Sequence, residues 1–396
     1  MDDDSSQSSF WIVSVQGDPT PKVSLQKVVE TCRDLSAISN FPVPELKIGT
    51  MDTLVSISDQ LQKLDPFIEN VVCKLAQYIA EIIRNSAGAS RDDKLPEGLH
   101  DALYVGSGSA RLTVGEYLRK FQWEVARFPL KQPLPVIVDS ISKLVTQIEA
   151  DYKQKASTYN GICQNIQAFE KKVSGTLLVR SLASLVKPEH IIHDSEYLQT
   201  LLVIVPRNSI KDWYNNYEHF NQYVVPRSSD TITEDPEYYL VTVTVMKKIV
   251  EEFKQKARES KFIVRDFEFD PKGADKENKE KDTLLAQRSK QQGPLLVWLK
   301  ANYNLAFTAW IHVKALRVFV ESVLRYGIPV NFASFVMVHR PKADKRVHDN
   351  LCSTFGHVDD KYLEAEAVDI PAGLGFTQSD YRPYVFFPVN LNLLEK

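Results

Sequence analysis

PLLVWLKANYNLAFTAWIHVKALRVFVESVLRYGIP, residues 294–329, is the stretch on which the fold turns. Apolar residues recur at Leu295, Leu299, Tyr303, Phe307, Trp310, Val313, Val320 and Leu324. The steps are three and four, broken once by a seven, which predicts a helix. Leu296, Ala306, Ile311, Leu316, Val318 and Phe319 widen the apolar surface well beyond one stripe. A helix apolar nearly all round is buried on several sides. Pro294 suits a first-turn position, where its missing N–H is no loss. Gly327 followed by Pro329 is a stop signal. The expectation is a central post late in the chain, with earlier segments packed around it.

SFWIVSV (9–15) is an apolar run closed by Gly17 and Pro19, a buried strand. Residues 23–37 read as helical. PVPELKIGTMDTLVSISDQL (42–61) passes from an extended entry into a helix near Asp52. Pro66 to Arg84 reads as a further amphipathic helix, with Phe67, Val71, Leu75, Ile79 and Ile82 on one face. Residues 86–110 read as a surface loop rich in Gly, Ser and Asp. GEYLRKFQWEVARFPL (115–130) reads as a short aromatic helix. On the far side, NFASFVMVHR (331–340) reads as a strand, KADKRVHDNLCSTF (342–355) as a helix and YRPYVFFPVNL (381–391) as an extended segment.

A different pattern runs from Leu134 to Val173. Leu134, Val138, Ile141, Val145, Ile148, Tyr152, Ala156, Tyr159, Ile162, Ile166, Phe169 and Val173 form a heptad-like seam, narrower than a core helix needs. Gly161 interrupts it. The charged stretch KGADKENKEKDTLLAQRSKQQ (272–292) is a candidate partner, running antiparallel. Between them, about 175–270, strands and helices mix. LQTLLVIVP (198–206) and PEYYLVTVTVM (236–246) read as strands, KFIVRDFEFD (261–270) as an edge strand, and SIKDWYNNYEHF (209–220) and KKIVEEFKQKAR (247–258) as helices. Ser209 is the expected N-cap of the first. The fold class expected is α+β, predominantly helical, an elongated two-lobed dumbbell. Its parts are a foot from 1–133 and 294–396, an outgoing neck helix 134–174, a mixed α/β head 175–271 and a returning neck helix 272–293.

Composition bounds the function. The chain has 396 residues, 43% hydrophobic and 25% charged, with net charge −3. That balance is globular and offers no global basic field for nucleic acid or anionic lipid. Cys32, Cys73, Cys163 and Cys352 lie far apart without a CxxC, as expected of reduced thiols in the cytosol. MDDDSSQSS at the start is acidic and polar, unlike a secretory signal or transit peptide. The longest apolar runs fall short of the ~20 residues a membrane span needs. Direct membrane insertion is not expected.

No Walker pattern, GxSxG or HExxH is present. VGSGSAR (105–111) lacks the later glycine and the Lys-Ser/Thr of a phosphate cradle and reads as a loop. His190 with His193, and His348 with Cys352 and His357, read as surface polar residues rather than metal ligands. Glu251-Glu252 and Asp359-Asp360 are adjacent pairs that do not converge on one helix face. The basic run of Lys247, Lys248, Lys254, Lys256, Arg258 and Lys261 is interleaved with glutamates, the mark of a solvated face. No catalytic, cofactor or metal residues are therefore expected.

Several blocks resemble the C subunit of the eukaryotic vacuolar-type proton-pumping ATPase. They are PELKIGTMDTLV (44–55), FQWEVARFPL (121–130), LVRSLASLVKPEHII (178–192), KFIVRDFEFD (261–270), WIHVKALRVFVESVLRYGIP (310–329) and DIPAGLGFTQSDYRPYVFF (369–387). They span nearly the whole chain in the family's order. The resemblance implies a non-catalytic stator component of the V1 sector, on the cytosolic face of vacuolar and endosomal membranes. It implies that the head holds one peripheral stalk, a heterodimer of the E and G subunits. The foot then holds a second stalk and the cytosolic N-terminal domain of the membrane-sector a subunit. Release from the pump would control reversible assembly and hence proton transport. Actin binding is also known in the family, so an actin-binding cross-linker is the alternative. The expected stalk contact is the edge around Lys261–Phe269 and the 209–220 helix. The contact residues expected there are Lys211, Trp213, Lys261, Arg265 and Phe267.

Overall fold

The structure is a computed structural model that describes residues 9–87, 103–106, 111–183, 185–192, 195–268, 273–365 and 382–394; side chains at 87, 273–275, 341 and 357–365 are excepted. Most of the 86–110 loop, His193, the side chains of His357, Asp359 and Asp360, and most of the 369–387 block lie outside the described residues. In chain order the elements are β1 Ser9–Gln16, α1 Pro21–Cys32, β2 Ser36–Asn40, α2 Met51–Ala87, α3 Val114–Arg119 and α4 Leu134–Ser174. They continue with β3 Leu198–Pro206, α5 Ile210–Asn216, β4 Thr231–Glu234, β5 Tyr238–Met246, α6 Val250–Glu259 and β6 Ile263–Arg265. The last are α7 Gly273–Tyr326, β7 Phe332–His339, α8 Asp344–Ala365 and β8 Val385–Val389. Contacts divide the chain into two units, Met1–Lys155 with Pro294–Lys396, and Ala156–Gly293.

The first unit carries a sheet of order β2-β7-β1-β8, antiparallel throughout. β1 is central, with Val13 opposite Phe335 of β7 and Phe386 of β8. Side chains alternate across a strand, so β1 faces two cores. Trp11, Val13 and Val15 pack with Val28 and Cys32 of α1 and Val347, Leu351 and Phe355 of α8. On the other face, Ser14 meets α7: the Ser322 hydroxyl bonds the Ser14 hydroxyl at 2.7 Å, and the Tyr326 hydroxyl donates to the Ser14 carbonyl at 2.8 Å. A strand covered on both faces has no polar side to show, which is why SFWIVSV reads as one apolar run.

α7 extends further toward its N-terminus than the 294–329 reading allows. Pro294 lies inside one helix of 54 residues rather than in a first turn. The carbonyl that loses its donor belongs to Lys290, which is exposed, so water can take its place. From Leu299 to Val320 most of the helix surface is buried, including Tyr303, Phe307, Trp310 and Phe319. That packing holds the helix through a residue which local rules place at an end. α2 behaves alike: Met51–Ala87 is one helix with an exposed Pro66 inside, where two segments are expected. β2 is a second correction, since residues 36 and 37 lie in a strand paired to β7 and not at the end of a helix.

The second unit holds a sheet of order β4-β5-β3-β6, again antiparallel. Val203, Val205, Val241, Val243 and Val245 face Trp213, Tyr217, Phe253, Ala257 and Phe262. Leu202, Ile204 and Leu240 face Leu177, Leu182 and Val186. β6 lies at one edge, within the stretch read as an edge strand, and β4 at the other. β4 has no counterpart in the sequence reading. α4 runs unbroken through Gly161, where an added Cβ would meet nothing within 4 Å. Within this unit its seam finds a partner on α7. Tyr159 interacts electrostatically with Arg288, and Ile166 and Phe169 lie against Leu284 and Lys281. Rising numbers on one helix meet falling numbers on the other, so the two run antiparallel.

Candidate functional site

The five residues expected to meet a partner separate once their surroundings are known. Lys211 and Lys261 are exposed. Trp213 is 0% exposed and belongs to the core, its indole N–H donating to the Ser229 hydroxyl at 2.8 Å. A side chain with no accessible surface cannot touch a partner in this fold, so Trp213 is a packing residue. Ser209, the expected N-cap of the same helix, makes no capping bond through its side chain. Arg265 is turned inward as well. Its Nη1 donates to the carbonyls of Leu177 at 3.2 Å and Leu178 at 2.5 Å, and its Nη2 to that of Arg180 at 3.4 Å. Phe267 packs on the same segment beside Leu177 and Leu182. Arg265 and Phe267 thus fasten the chain leaving α4 onto the sheet edge. Asp235 helps, accepting from the Leu177 N–H at 2.9 Å. Three backbone hydrogen bonds to its carboxylate, from Leu177, Glu237 and Tyr238, hold its pKa below the ordinary value although burial opposes them.

Lys261 has a structural duty of its own. It sits just past α6 with φ +62°, where glycine is the usual residue. The Phe262 N–H returns to the Ala257 carbonyl at 2.8 Å, and the Lys261 N–H to the Arg258 carbonyl at 3.0 Å. Its backbone ends a helix while its ammonium faces solvent.

In the first unit the middle of α7 carries two polar constellations inside an apolar helix. Asp65 of α2 is 2% exposed and takes three donors from α7. The Trp310 indole N–H reaches Oδ1 at 2.8 Å, the Lys314 ammonium reaches Oδ2 at 2.9 Å, and the Arg317 guanidinium bonds the same oxygen. Steps of three and four bring Trp310, Lys314 and Arg317 to one side of α7. Arg317 also lies over the Phe387 ring at 4.2 Å, and Lys314 Nζ donates to the Pro388 carbonyl at 3.3 Å. One carboxylate therefore ties α2, α7 and β8 together.

The second constellation surrounds His312, which is fully buried. FQWEVARFPL is a turn folded over it rather than part of the expected short helix, which ends at Arg119. Phe121, Trp123 and Phe128 stand 5.1, 4.8 and 4.9 Å from the imidazole, centre to centre. The Glu124 N–H donates to His312 Nε2 at 3.0 Å, so Nδ1 carries the proton and donates to the Thr308 carbonyl at 2.7 Å. Burial among aromatic rings lowers the imidazole pKa to about 4. The turn closes on itself through Trp123 Nε1–H to the Phe128 carbonyl at 2.8 Å and Phe128 N–H to the Glu124 carbonyl at 2.9 Å. Outside face Val125, 55% exposed, and Ala126. One signal of the turn is readable in the sequence, since the aromatic spacing 121, 123, 128 fits no helical face.

Among the described residues no group of three His, Cys, Asp or Glu side chains gathers to hold a metal, and no helix is long and apolar enough to cross a membrane. His348 is engaged with the Tyr384 hydroxyl at 2.7 Å, and Cys352 Sγ lies 3.7 Å from both ring nitrogens. Burial raises the Cys352 thiol pKa, the reverse of an activated nucleophile. Glu251 pairs with Lys254, and Glu252 accepts from Asn221 at 2.9 Å. These arrangements support packing and surface chemistry.

A family model described as the C subunit of V-ATPase matches residues 10–385 of the chain. The V-type proton ATPase C subunit of Manduca sexta is 45% identical over 396 residues, covering 98% of this chain and 99% of that protein. The V-type proton ATPase C 1 subunits of Xenopus laevis and Rattus norvegicus are each 43% identical over 394 residues, covering 98% of this chain and 99% of theirs. A solved cytoplasmic N-terminal domain of the I subunit, a homolog of the a subunit of V-ATPase, aligns with TM-score 0.29 and 12% identity over 88% of this chain and 97% of that one. A score that low carries no argument about fold or partner.

Proposed function

The chain belongs to the V-ATPase C-subunit family, and on that premise we propose that it is a non-catalytic stator component of the V1 sector, on the cytosolic face of the pump's membrane. The observation that carries this is identity of 43–45% across 98% of the chain. In this reading the inserted unit is a head that holds one E–G stalk. The first unit is a foot that holds a second stalk and the N-terminal domain of the a subunit. The paired stretches of α4 and α7 are the neck. The support is that each unit has its own sheet with apolar side chains packed against it, so each is a body with a surface of its own.

A rotary pump delivers work only if its stationary parts resist torque. A component touching several stalks through modest contacts is held by effective concentration, and losing one contact releases it. That property suits control of V1–Vo assembly, and through it proton transport and acidification. Lys211 and Lys261, the two exposed members of the expected contact set, are the stalk contacts in this reading. Trp213, Arg265 and Phe267 act by positioning the surface.

Copurification from native membranes tests the proposal. The E and G subunits should come down with the tagged chain, in an amount that falls under nutrient depletion. Recovery of the chain without any other pump component, together with stoichiometric co-sedimentation on actin filaments, would instead favour a cytoskeletal cross-linker.

A further inference from the structure

The end of the first unit's sheet at which β1 begins is basic on one flank. β1 runs antiparallel to β7 with Ser9 opposite His339, so the chain ahead of Ser9 leaves the sheet beside the chain that follows His339. That following chain is RPKADKR, residues 340–346. It carries Arg340, Lys342, Lys345 and Arg346 against Asp344, a surplus of three positive charges in a chain of net charge −3. Local bonds keep the four cations together. The Ala343 N–H donates to the Arg340 carbonyl at 2.8 Å, which closes a tight turn, and α8 starts at Asp344. The Asp344 carboxylate stands 2.9 Å from His339 Nε2, and the His339 ring stands 4.4 Å from that of Trp11 in β1. The start of α8 is thereby held beside the start of β1. Arg340, Lys342, Lys345 and Arg346 are exposed and make no ion pair among the described residues. Lys345 and Arg346 also occupy the first turn of a helix, where the dipole disfavours cations and favours anions. On the other flank of β1, β8 runs out into Asn390, Leu391 and Asn392, which carry no charge. In the turn into β2, Arg33 and Asp34 cancel.

The segment ahead of Ser9 has the opposite charge. Asp2, Asp3 and Asp4 are followed by SSQS, the uncharged residues 5–8. We infer that residues 2–4 lie across the 340–346 turn of the same chain and shield its cations from other polyanions. The tether is long enough. Asp4 stands five residues before Ser9, up to about 17 Å of extended chain, and Lys342 stands three residues after His339, at most about 10 Å away. It is also short enough to hold the carboxylates at a high effective concentration beside the cations, so that pairs weak one by one persist together. A second copy of the chain, or a separate acidic partner, has to compete against that local concentration.

The test uses the full chain. A carbodiimide, which joins a carboxylate to an adjacent ammonium as an amide, should link Asp2, Asp3 or Asp4 to Lys342 or Lys345 at low salt. The link should weaken as salt rises and be absent from the triple variant Asp2→Asn, Asp3→Asn, Asp4→Asn. Linked peptides are read by mass spectrometry on an equal mixture of isotopically light and heavy chains, in which links within one chain give no mixed product. On immobilised heparin, a polyanion, the triple variant should elute at higher salt than wild type. Adding Arg340→Ser, Lys342→Ser, Lys345→Ser and Arg346→Ser to it should abolish that gain. Melting temperature should be unchanged in both variants, because exposed pairs add little stability. No link at low salt overturns the contact. Links found only between light and heavy chains overturn the intramolecular reading in favour of a second copy. Equal elution of wild type and the triple variant from heparin overturns the shielding.

Discussion

Asp65 is a single buried carboxylate set against two cations and an indole. Breaking a buried ion cluster by removing one partner typically costs about 3–5 kcal/mol, because the partner charges remain without compensation. Asp65→Ala should therefore lower stability by that order in chemical denaturation. Asp65→Ala combined with Lys314→Met and Arg317→Met should recover part of the loss. An Asp65→Ala variant as stable as wild type would show that water reaches Lys314. His312 makes a prediction in pH. Its folded pKa, about 4, lies below the ordinary 6.5, so between those values the unfolded chain binds the extra proton. Stability contributed by the neutral imidazole is therefore complete above pH 6.5 and is lost as pH falls toward 4. The loss reaches roughly 3 kcal/mol if the burial effect is fully expressed. His312→Gln should be less stable at neutral pH, and its stability should fall less steeply between pH 6.5 and 4. At this scale the sequence is only partly legible. Lys314 and Arg317 look like exposed charges punctuating an apolar helix, because their counter-charge stands some 250 residues away. Trp213 looks like an interface aromatic because helical spacing on a seven-residue helix does not say which face meets a sheet.

Elements are fixed by what crosses between them. The three bonds from Arg265 to the carbonyls of 177, 178 and 180 join a three-residue edge strand to the chain leaving a 41-residue helix. Arg265→Ala removes these charge-assisted bonds from partly buried carbonyls, at a cost of about 1–3 kcal/mol. Amide exchange should accelerate over 177–182 while the amides of β3 and β5 keep their protection. Uniform acceleration across the sheet would mean that Arg265 supports the whole core. The same scale shows why some elements are readable and others not. α7 from Leu295 onward, β1, β3, β5 and β7 are buried on more than one side, so their apolar runs are long and unmistakable. β2 and β4, of five and four residues, lie at sheet edges and show mixed exposure; β2 pairs with the distant β7, which local pattern does not encode, and β4, which pairs with the adjacent β5, is too short and too exposed to leave an apolar alternation. Pro294 and Pro66 read as helix starts on sound local grounds, and tertiary packing carries both helices through.

For the molecule as a whole, the division into two units predicts how it comes apart. Each unit has a core of its own, so two-state unfolding is not expected. Calorimetry should resolve two transitions. Trp310→Ala empties a large site in the first unit, worth about 3–5 kcal/mol, and should lower one transition only. A single transition displaced as a block would mean that the units melt together. Trp310 lies in the helix core, so any loss of assembly should follow the loss of stability. Retained melting with lost assembly would reverse that order and make the helix an interface. The family is legible across nearly the whole sequence, in blocks such as 310–329 that are core. The 121–128 turn is legible only as a motif, since the imidazole it packs on, His312, stands almost two hundred residues away.

The place of β1 in its sheet has a consequence for how the chain is made. Val13 pairs with Phe335 and Phe386, so the first strand waits for more than three hundred residues before its neighbours exist. At synthesis rates of about 5–20 residues per second that wait is roughly 15–60 s. The inserted unit is contiguous and can close on the ribosome during this time. SFWIVSV meanwhile has no sheet to enter, and both its edges and both its faces are open. A nascent-chain holdase is needed most for the seven residues made earliest in the described chain, although in the finished protein they are among the best protected.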